Sequence, residues 1–251
     1  MGNQTEVKKN FGPRASNYRL SSTHGNPADL QRMIDRINPS SGAIALDVAT
    51  GGGHTALALA KCVKDVVAID ITPEMLAEAK IAAREENIDN IAFQVEDVHD
   101  LNFKDHQFDI VASRFAVHHF SDVKKALKEM CRVLKPGGKL YILDCSVFDG
   151  EESEEKINQI ELLRDSSHQF SYSPRLWLQL LEELPLTVHK TELLQEKYEL
   201  PQWFDRMGTD EKHREEVFRI LNSLTAECKE NYPFGKDYIT TYRFEIIAAK
   251  N

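Results

Sequence analysis

Three acidic side chains in the first hundred residues each follow a short apolar run, where a carboxylate can meet a ligand. The first lies in Leu46-Asp47-Val48-Ala49-Thr50-Gly51-Gly52-Gly53-His54. Three glycines at a strand-to-helix turn permit positive φ and let backbone approach a ligand closely. Gly51-x-Gly53-x-x-Ala56 also matches the dinucleotide fingerprint, whose pyrophosphate wants a helix N-terminus with no carboxylate beside it. Asp47 disfavours that ligand and suits one carrying an ammonium and a sulfonium. Asp70 ends a second run, Val67-Ala68-Ile69-Asp70, where a carboxylate can accept from both ribose hydroxyls. After a third run, in Glu96-Asp97-Val98, Asp97 can accept from an adenine amino group while the Val98 N–H donates to a ring nitrogen. Singly, each acid could equally be a solvated loop residue or a helix cap. Together they converge on one adenosine-bearing ligand.

A fourth run leads into Ser113-Arg114-Phe115-Ala116-Val117-His118-His119. This segment should face the glycine loop. His118 and His119 are candidate general bases because imidazole titrates near neutrality, although both could simply hydrogen-bond backbone and shape the loop. Arg114 could clamp a ligand carboxylate or an anionic acceptor, or pair with a neighbouring acid. Cys62, Cys131, Cys145 and Cys228 form no C-x-x-C and no Cys/His ligand spacing, so reduced thiols and no metal site are expected.

The elements that must position these groups follow from hydrophobic periodicity. Ala43–Val48, Val66–Ile69, Ile91–Val95, Phe108–Ala112 and Lys139–Leu143 are nearly all apolar, as strands covered on both faces are. Helical patterns separate them. Asn26-Pro27 should start a helix with Leu30, Met33, Ile34 and Ile37 on its buried face. Thr72-Pro73 should cap another, with Ile71 and Leu76 placed as a hydrophobic staple. A third should run from Ser121 to Leu134, turning Val123, Ala126, Leu127, Met130 and Leu134 inward. Such alternation implies βαβ units with right-handed crossovers. Beyond Asp144 the rhythm changes. A helix carrying Ile157, Ile160 and Leu163 follows, then one opened by Ser173-Pro174. A strand within Leu186–Leu200, a helical and irregular stretch over 201–236, and a last strand at Tyr238–Ala249 complete the chain. Two late strands joined by a long excursion predict an antiparallel edge pair with an inserted cap, a lid candidate. Trp177 and Trp203 read as core or lid packing.

The glycine loop, Asp70-Ile-Thr-Pro-Glu-Met-Leu76, Glu96-Asp97 and Arg132-Val-Leu-Lys-Pro-Gly-Gly138 together resemble class I S-adenosylmethionine (SAM)-dependent methyltransferases. The chain is most similar to UbiE-type C-methyltransferases of quinone synthesis and to YcgJ-type bacterial proteins. The likeness is good over roughly residues 10–145; beyond that it is looser to the first group and better to the second. It implies a doubly wound, mostly parallel seven-stranded Rossmann-like α/β sheet with an antiparallel last strand and helical lid insertions. One domain over 1–251 would comprise an N-terminal lid (1–30), a SAM-binding core (31–148), lid helices and an edge strand on the acceptor side (149–236), and a last strand (237–251). In the family the match to Asp47 lies near the methionine end of SAM, that to Asp70 binds ribose, and that to Asp97 contacts adenine. The implied cofactor set is Tyr18, Asp47, Ala49, Thr50, Gly51, Gly53, Asp70, Ile71, Met75, Asp97, Val98, Ser113 and Arg114. Tyr18 enters because Phe11–Tyr18 resembles the segment that folds over SAM. Ala49 departs from the pattern, since many members carry a first glycine there. Arg14, His119, Arg164 and His168 are placed on the acceptor side.

The net charge of −9 over 251 residues argues against a phosphate-backbone partner. Absence of a signal-like apolar core or a membrane-length run leads us to expect a cytoplasmic protein without an integral membrane segment. Monomer and homodimer stay equally open. The expected activity is SAM-dependent C- or O-methylation of a small-molecule acceptor, with the resemblance pointing to a quinone-like or aromatic one. The alternatives are an NAD(P)-dependent oxidoreductase and a SAM-binding protein without methyl transfer.

Overall fold

Caps and prolines set where the helices begin. The structure, a computed structural model, describes residues 2–251. Ahead of the first strand the chain is already helical: α1 (Gly2–Phe11), a 3-10 turn at Gly12–Arg14, α2 (Ala15–Arg19) and α3 (Pro27–Ile37). Asn26 caps α3 as expected, accepting from the N–H groups of Ala28 and Asp29, and left-handed Asn38 (φ 45°) closes it. The alternating region follows as β1 (Ile44–Val48), α4 (His54–Ala60), β2 (Asp65–Asp70), α5 (Pro73–Glu85), β3 (Ile91–Val95), β4 (Phe108–Arg114), α6 (Val123–Val133) and β5 (Leu134–Ser146). The remainder is α7 (Glu151–Arg164), α8 (Pro174–Glu182), β6 (Leu186–Glu199), α9 (Leu200–Asp205), α10 (Glu211–Ser223), α11 (Ala226–Asn231) and β7 (Tyr238–Lys250).

These strands form one seven-stranded sheet in the order β3-β2-β1-β4-β5-β7-β6. β7 runs antiparallel to both of its neighbours, β5 and β6, and the other pairings are parallel. The sheet is therefore the doubly wound, Rossmann-like arrangement expected, with its last strand reversed. Strand residues alternate between two cores. Leu46, Val48, Val111, Leu140 and Ile142 pack with Leu127, Met130 and Trp177 on one face. Ala45, Ala68, Ala112, Tyr141 and Leu143 pack with Met33, Ile37, Ala56 and Leu59 on the other. The excursion after β5 builds a third core around Val147, Ile160, Trp203, Phe204 and Leu221.

Local details differ from the periodicity in three places. Asp122, not Ser121, starts α6, its carboxylate accepting from the Lys125 N–H. Leu134 is buried as expected but opens β5 instead of ending α6. Thr72 occupies the cap position of α5 without a side-chain cap bond; its N–H donates to Asp70 Oδ1 at 2.8 Å.

The Lys135-Pro136-Gly137-Gly138 turn is a bulge within β5. Leu134 pairs with Phe108, and pairing resumes at Lys139 opposite Ile110. A Cβ on Gly138 would stand 2.8 Å from Leu134 Cδ1, 2.9 Å from the Lys135 carbonyl oxygen and 3.0 Å from that of Asp109. Backbone on two sides cannot yield as a side chain does. Gly138→Ala is therefore expected to destabilise the protein by about 1–3 kcal/mol, read as a lower urea midpoint at unchanged m-value. An unchanged midpoint would show that the bulge relaxes freely.

Candidate active site

The strand order reverses between β1 and β4, and in open α/β sheets ligands bind outside the carboxyl ends at such a point. At that place the chain turns through Ala49 (φ 55°) and Gly51 (φ 54°). Alanine at positive φ carries a steric cost of roughly 1 kcal/mol that glycine escapes, so the departure from the family pattern is met by strain and not by a different turn. The Thr50 N–H donates to the Ile69 carbonyl at 2.8 Å, tying the loop to β2. Asp70 then accepts from the Gly51 N–H at 2.9 Å and the Thr72 N–H at 2.8 Å. Burial raises the Asp70 pKa above the ordinary carboxylate value, and these two donors only partly offset it.

Beside this loop lies an open-mouthed cavity of about 1020 Å³. Ala49, Thr50, Gly51 and Asp70 form its floor, Ile71, Met75 and Val98 its apolar sides, and Tyr18, Asp97, Arg114 and His119 face it from the periphery. Three expected members stand behind the wall. Asp47 is 1% exposed and accepts from Thr50 Oγ1 at 2.6 Å. Ser113 donates to the Val48 carbonyl. Gly53 (φ 90°) admits close packing with α5, since a Cβ there would lie 2.9 Å from Ala79 Cβ. Burial pushes Asp47 up to about 7 against the Thr50 hydrogen bond. At Asp97 burial opposes ionisation, yet the His99 N–H and imidazole hold its pKa below the usual value. Gln4 of α1 also donates its side-chain amide to Asp97.

The segment before α3, expected as an N-terminal lid carrying Tyr18, packs directly on the glycine turn, and it brings residues that sequence reasoning missed. A Cβ on Gly52 would stand 2.8 Å from the backbone of Tyr18 and Arg19, and the His54 ring bonds the Tyr18 carbonyl at 2.9 Å. Arg19 reaches Glu78 at 2.8 Å and Glu85 at 3.0 Å on α5. The helical segment is thus part of the cavity wall, along with His24, His54 and Gln4. The available signal was Gly52, a glycine at the "x" position between Gly51 and Gly53 where a dinucleotide-type turn does not require one.

Some buried polar atoms in this wall lack hydrogen-bond partners among the described residues. Arg114 is 7% exposed; its Nη1 donates to the His24 carbonyl at 3.2 Å and Thr55 Oγ1 at 3.4 Å. Its Nε and Nη2, and Thr72 Oγ1, have no partner among the described residues. Burial lowers the Arg114 pKa from its ordinary value, though a guanidinium remains charged near neutrality.

A second cavity, about 760 Å³, adjoins the first. Phe11, Tyr18, His24, Phe115 and His119 line both, so an aromatic partition separates them. His118 and Arg164 line the second cavity; Arg14 and His168 line neither. Arg14 donates to the Asn10 carbonyl at 2.8 Å, and His168 bonds Asn158 Oδ1 at 2.8 Å. Asp144 receives the His118 backbone N–H and ring Nδ1, both at 2.7 Å. Burial disfavours the imidazolium, but Asp144 and Cys145 overcome it and raise the His118 pKa well above normal. Burial, then the His118 charge, lowers His119 to about 4, and His168, buried beside both, falls to about 2. Arg164 pairs with Glu161 at 2.7 Å and stacks 4.7 Å over the Trp203 ring.

Comparison with known proteins places this geometry. A family model described as a methyltransferase domain matches residues 46–142. The uncharacterized methyltransferase YcgJ of Bacillus subtilis is 31% identical over 92% of this chain and 90% of its own length. The YcgJ crystal structure superposes with a TM-score of 0.83, covering 89% of this chain and 98% of that one at 28% identity. The demethylmenaquinone methyltransferase of Porphyromonas gingivalis is 40% identical, but only across 46% of this chain and 49% of that protein.

The buried Asp47 yields a pH test. Its folded-state pKa, about 7, lies above the ordinary unfolded carboxylate value near 3.9. The stability tied to its protonated form is complete below about pH 4 and is lost as pH rises through about 7. Asp47→Asn escapes that loss. The stability of the variant relative to wild type should rise by on the order of 2–4 kcal/mol between pH 4 and pH 8, measured by urea titration at each pH. A difference independent of pH would mean that Asp47 ionises freely.

Proposed function

The chain belongs to the class I methyltransferase family, and from that premise we propose that it holds SAM in the larger cavity and methylates a small molecule seated in the second. The observation that carries this reading is Arg114, a buried guanidinium that faces the cavity with no carboxylate partner among the described residues. An uncompensated buried charge is costly, so an anionic group belongs there. The amino-acid carboxylate of SAM fits. A pyrophosphate fits less well, because Asp47 and Asp70 lie beneath the loop it would have to approach.

The other roles follow from position. Asp70 would accept the ribose hydroxyls on lone pairs not used by Gly51 and Thr72. Asp97 and the Val98 N–H would read the adenine edge, and Ile71 and Met75 would cover its faces. Asp47, through Thr50, would favour positive charge above the loop, and Ser113 and Gly53 would stiffen the wall behind. When bound, the cofactor supplies an electrophilic methyl group. The chain's own task is to hold a nucleophile in line with it and to exclude water, which the Phe11–Tyr18–Phe115 partition suits.

Of the two candidate bases, His119 is the one assigned to take a proton. It is held neutral and lines both cavities, and Asp165 Oδ2 lies 4.0 Å from its Nε2. His118, already protonated against Asp144, keeps His119 in that state and supplies positive charge to the acceptor side. A quinone-like or aromatic acceptor is the class favoured, supported by the likeness to the demethylmenaquinone enzyme and by the aromatic residues in the second cavity.

The first test is thermal protection by S-adenosylhomocysteine (SAH) but not by NADH; the reverse pattern rejects the proposal. Asp70→Asn should weaken SAH binding by about tenfold or more. A loss below about threefold would overturn the ribose role.

A further inference from the structure

Around the second cavity three cations are paired with carboxylates and one is not. Arg164 is matched by Glu161 at 2.7 Å. Arg243 is matched by Asp29 at 3.0 Å and Glu196 at 3.1 Å. His118 is matched by Asp144 at 2.7 Å. The other acid in the wall, Asp165, turns one oxygen onto its own loop, accepting there from the Ser167 N–H, the Ser167 hydroxyl and Asn10. Arg206, just past the end of α9, is different. One Nη2 hydrogen goes to Thr23 Oγ1 at 3.2 Å, and the guanidinium lies 5.5 Å from the centre of the Tyr198 ring. No carboxylate of the described residues pairs with it, and it lines the cavity. Its remaining donors form a planar fork that matches a carboxylate or phosphate.

We propose that Arg206 anchors an acidic group on the methyl acceptor, so that the substrate class is a planar or aromatic small molecule bearing a carboxylate or phosphate. This rests on the methyl-transfer reading above. The acid would sit at Arg206 in the half-buried wall where Tyr198 and Thr23 fix the guanidinium. The ring would lie against the aromatic partition, which it shares with the cofactor cavity.

The test uses the full chain, wild type and Arg206→Gln and Arg206→Lys. A small-molecule cell extract is divided by anion exchange into acidic and non-acidic pools, and each is incubated with methyl-labelled SAM. SAH affinity is measured on all three proteins. Label is expected in the acidic pool, falling by about tenfold or more in Arg206→Gln, as loss of a charge-assisted pair implies. That fall should appear in KM more than in kcat, with partial recovery in Arg206→Lys. SAH affinity should stay within about twofold, which also shows that the variants fold. Phosphatase treatment of the acidic pool separates a phosphate ester, whose labelling it abolishes, from a carboxylate. Labelling confined to the non-acidic pool, or acidic-pool labelling unchanged in Arg206→Gln, overturns the proposal. No label from either pool with a wild-type protein that binds SAH defeats methyl transfer itself, and the anchor with it; a protein that does not bind SAH fails one step earlier.

Discussion

The site depends on a carboxylate that accepts two backbone hydrogen bonds. Asp70 holds the Gly51 and Thr72 N–H groups, so the glycine turn after β1 and the start of α5 are pinned to one point at the end of β2. Neither loop has a regular hydrogen-bond ladder of its own there. The cost of burying that acid is visible in its raised pKa, and it is borne because the turn cannot otherwise present its backbone. The strained Ala49 survives for the same reason. Its φ is imposed by the anchored Thr50 and Gly51 on its carboxyl side, and strain of this kind persists only where the surroundings over-determine it.

Around that point buried charges meet two fates. Acids lie under the glycine loop, while on the side built by the excursion after β5 guanidinium groups and a protonated imidazole are paired with carboxylates, Arg206 excepted. Low dielectric makes this arrangement consequential, because a buried charge without a partner selects its ligand more strongly than an exposed one does. Arg114 and His118 illustrate the two outcomes. One keeps two nitrogens without a hydrogen-bond partner among the described residues, and the other is satisfied within the chain by Asp144.

Much of this was legible in the sequence, for identifiable reasons. Strands buried on both faces announce themselves as apolar runs, so β1, β2, β4 and β5 could be read directly; β3 was located too, but it lies at the sheet edge with Ala92, Gln94 and Val95 exposed instead of covered on both faces. Asn26 and Ser173 obey simple capping chemistry. Thr72 shows the limit: its type and place say cap, but it holds the cap position without a side-chain cap bond. Asp47 and Ser113 were placed against the ligand, whereas side-chain alternation turns them behind the wall. Helicity of the first residues was invisible because α1 lacks an apolar stripe, and its partners lie far along the chain. Arg206 was illegible for a related reason. Only the packed excursion shows that its neighbours leave it without a carboxylate.

The aromatic screen between the two chambers has a kinetic corollary. Phe11, Tyr18 and His24 belong to the segment that rests on Gly52, and each faces both compartments. Lifting that segment would widen both at once. On the methyl-transfer reading proposed above, spent cofactor and finished product would then leave through the same opening event, and the rate of that event would set a ceiling on the cycle.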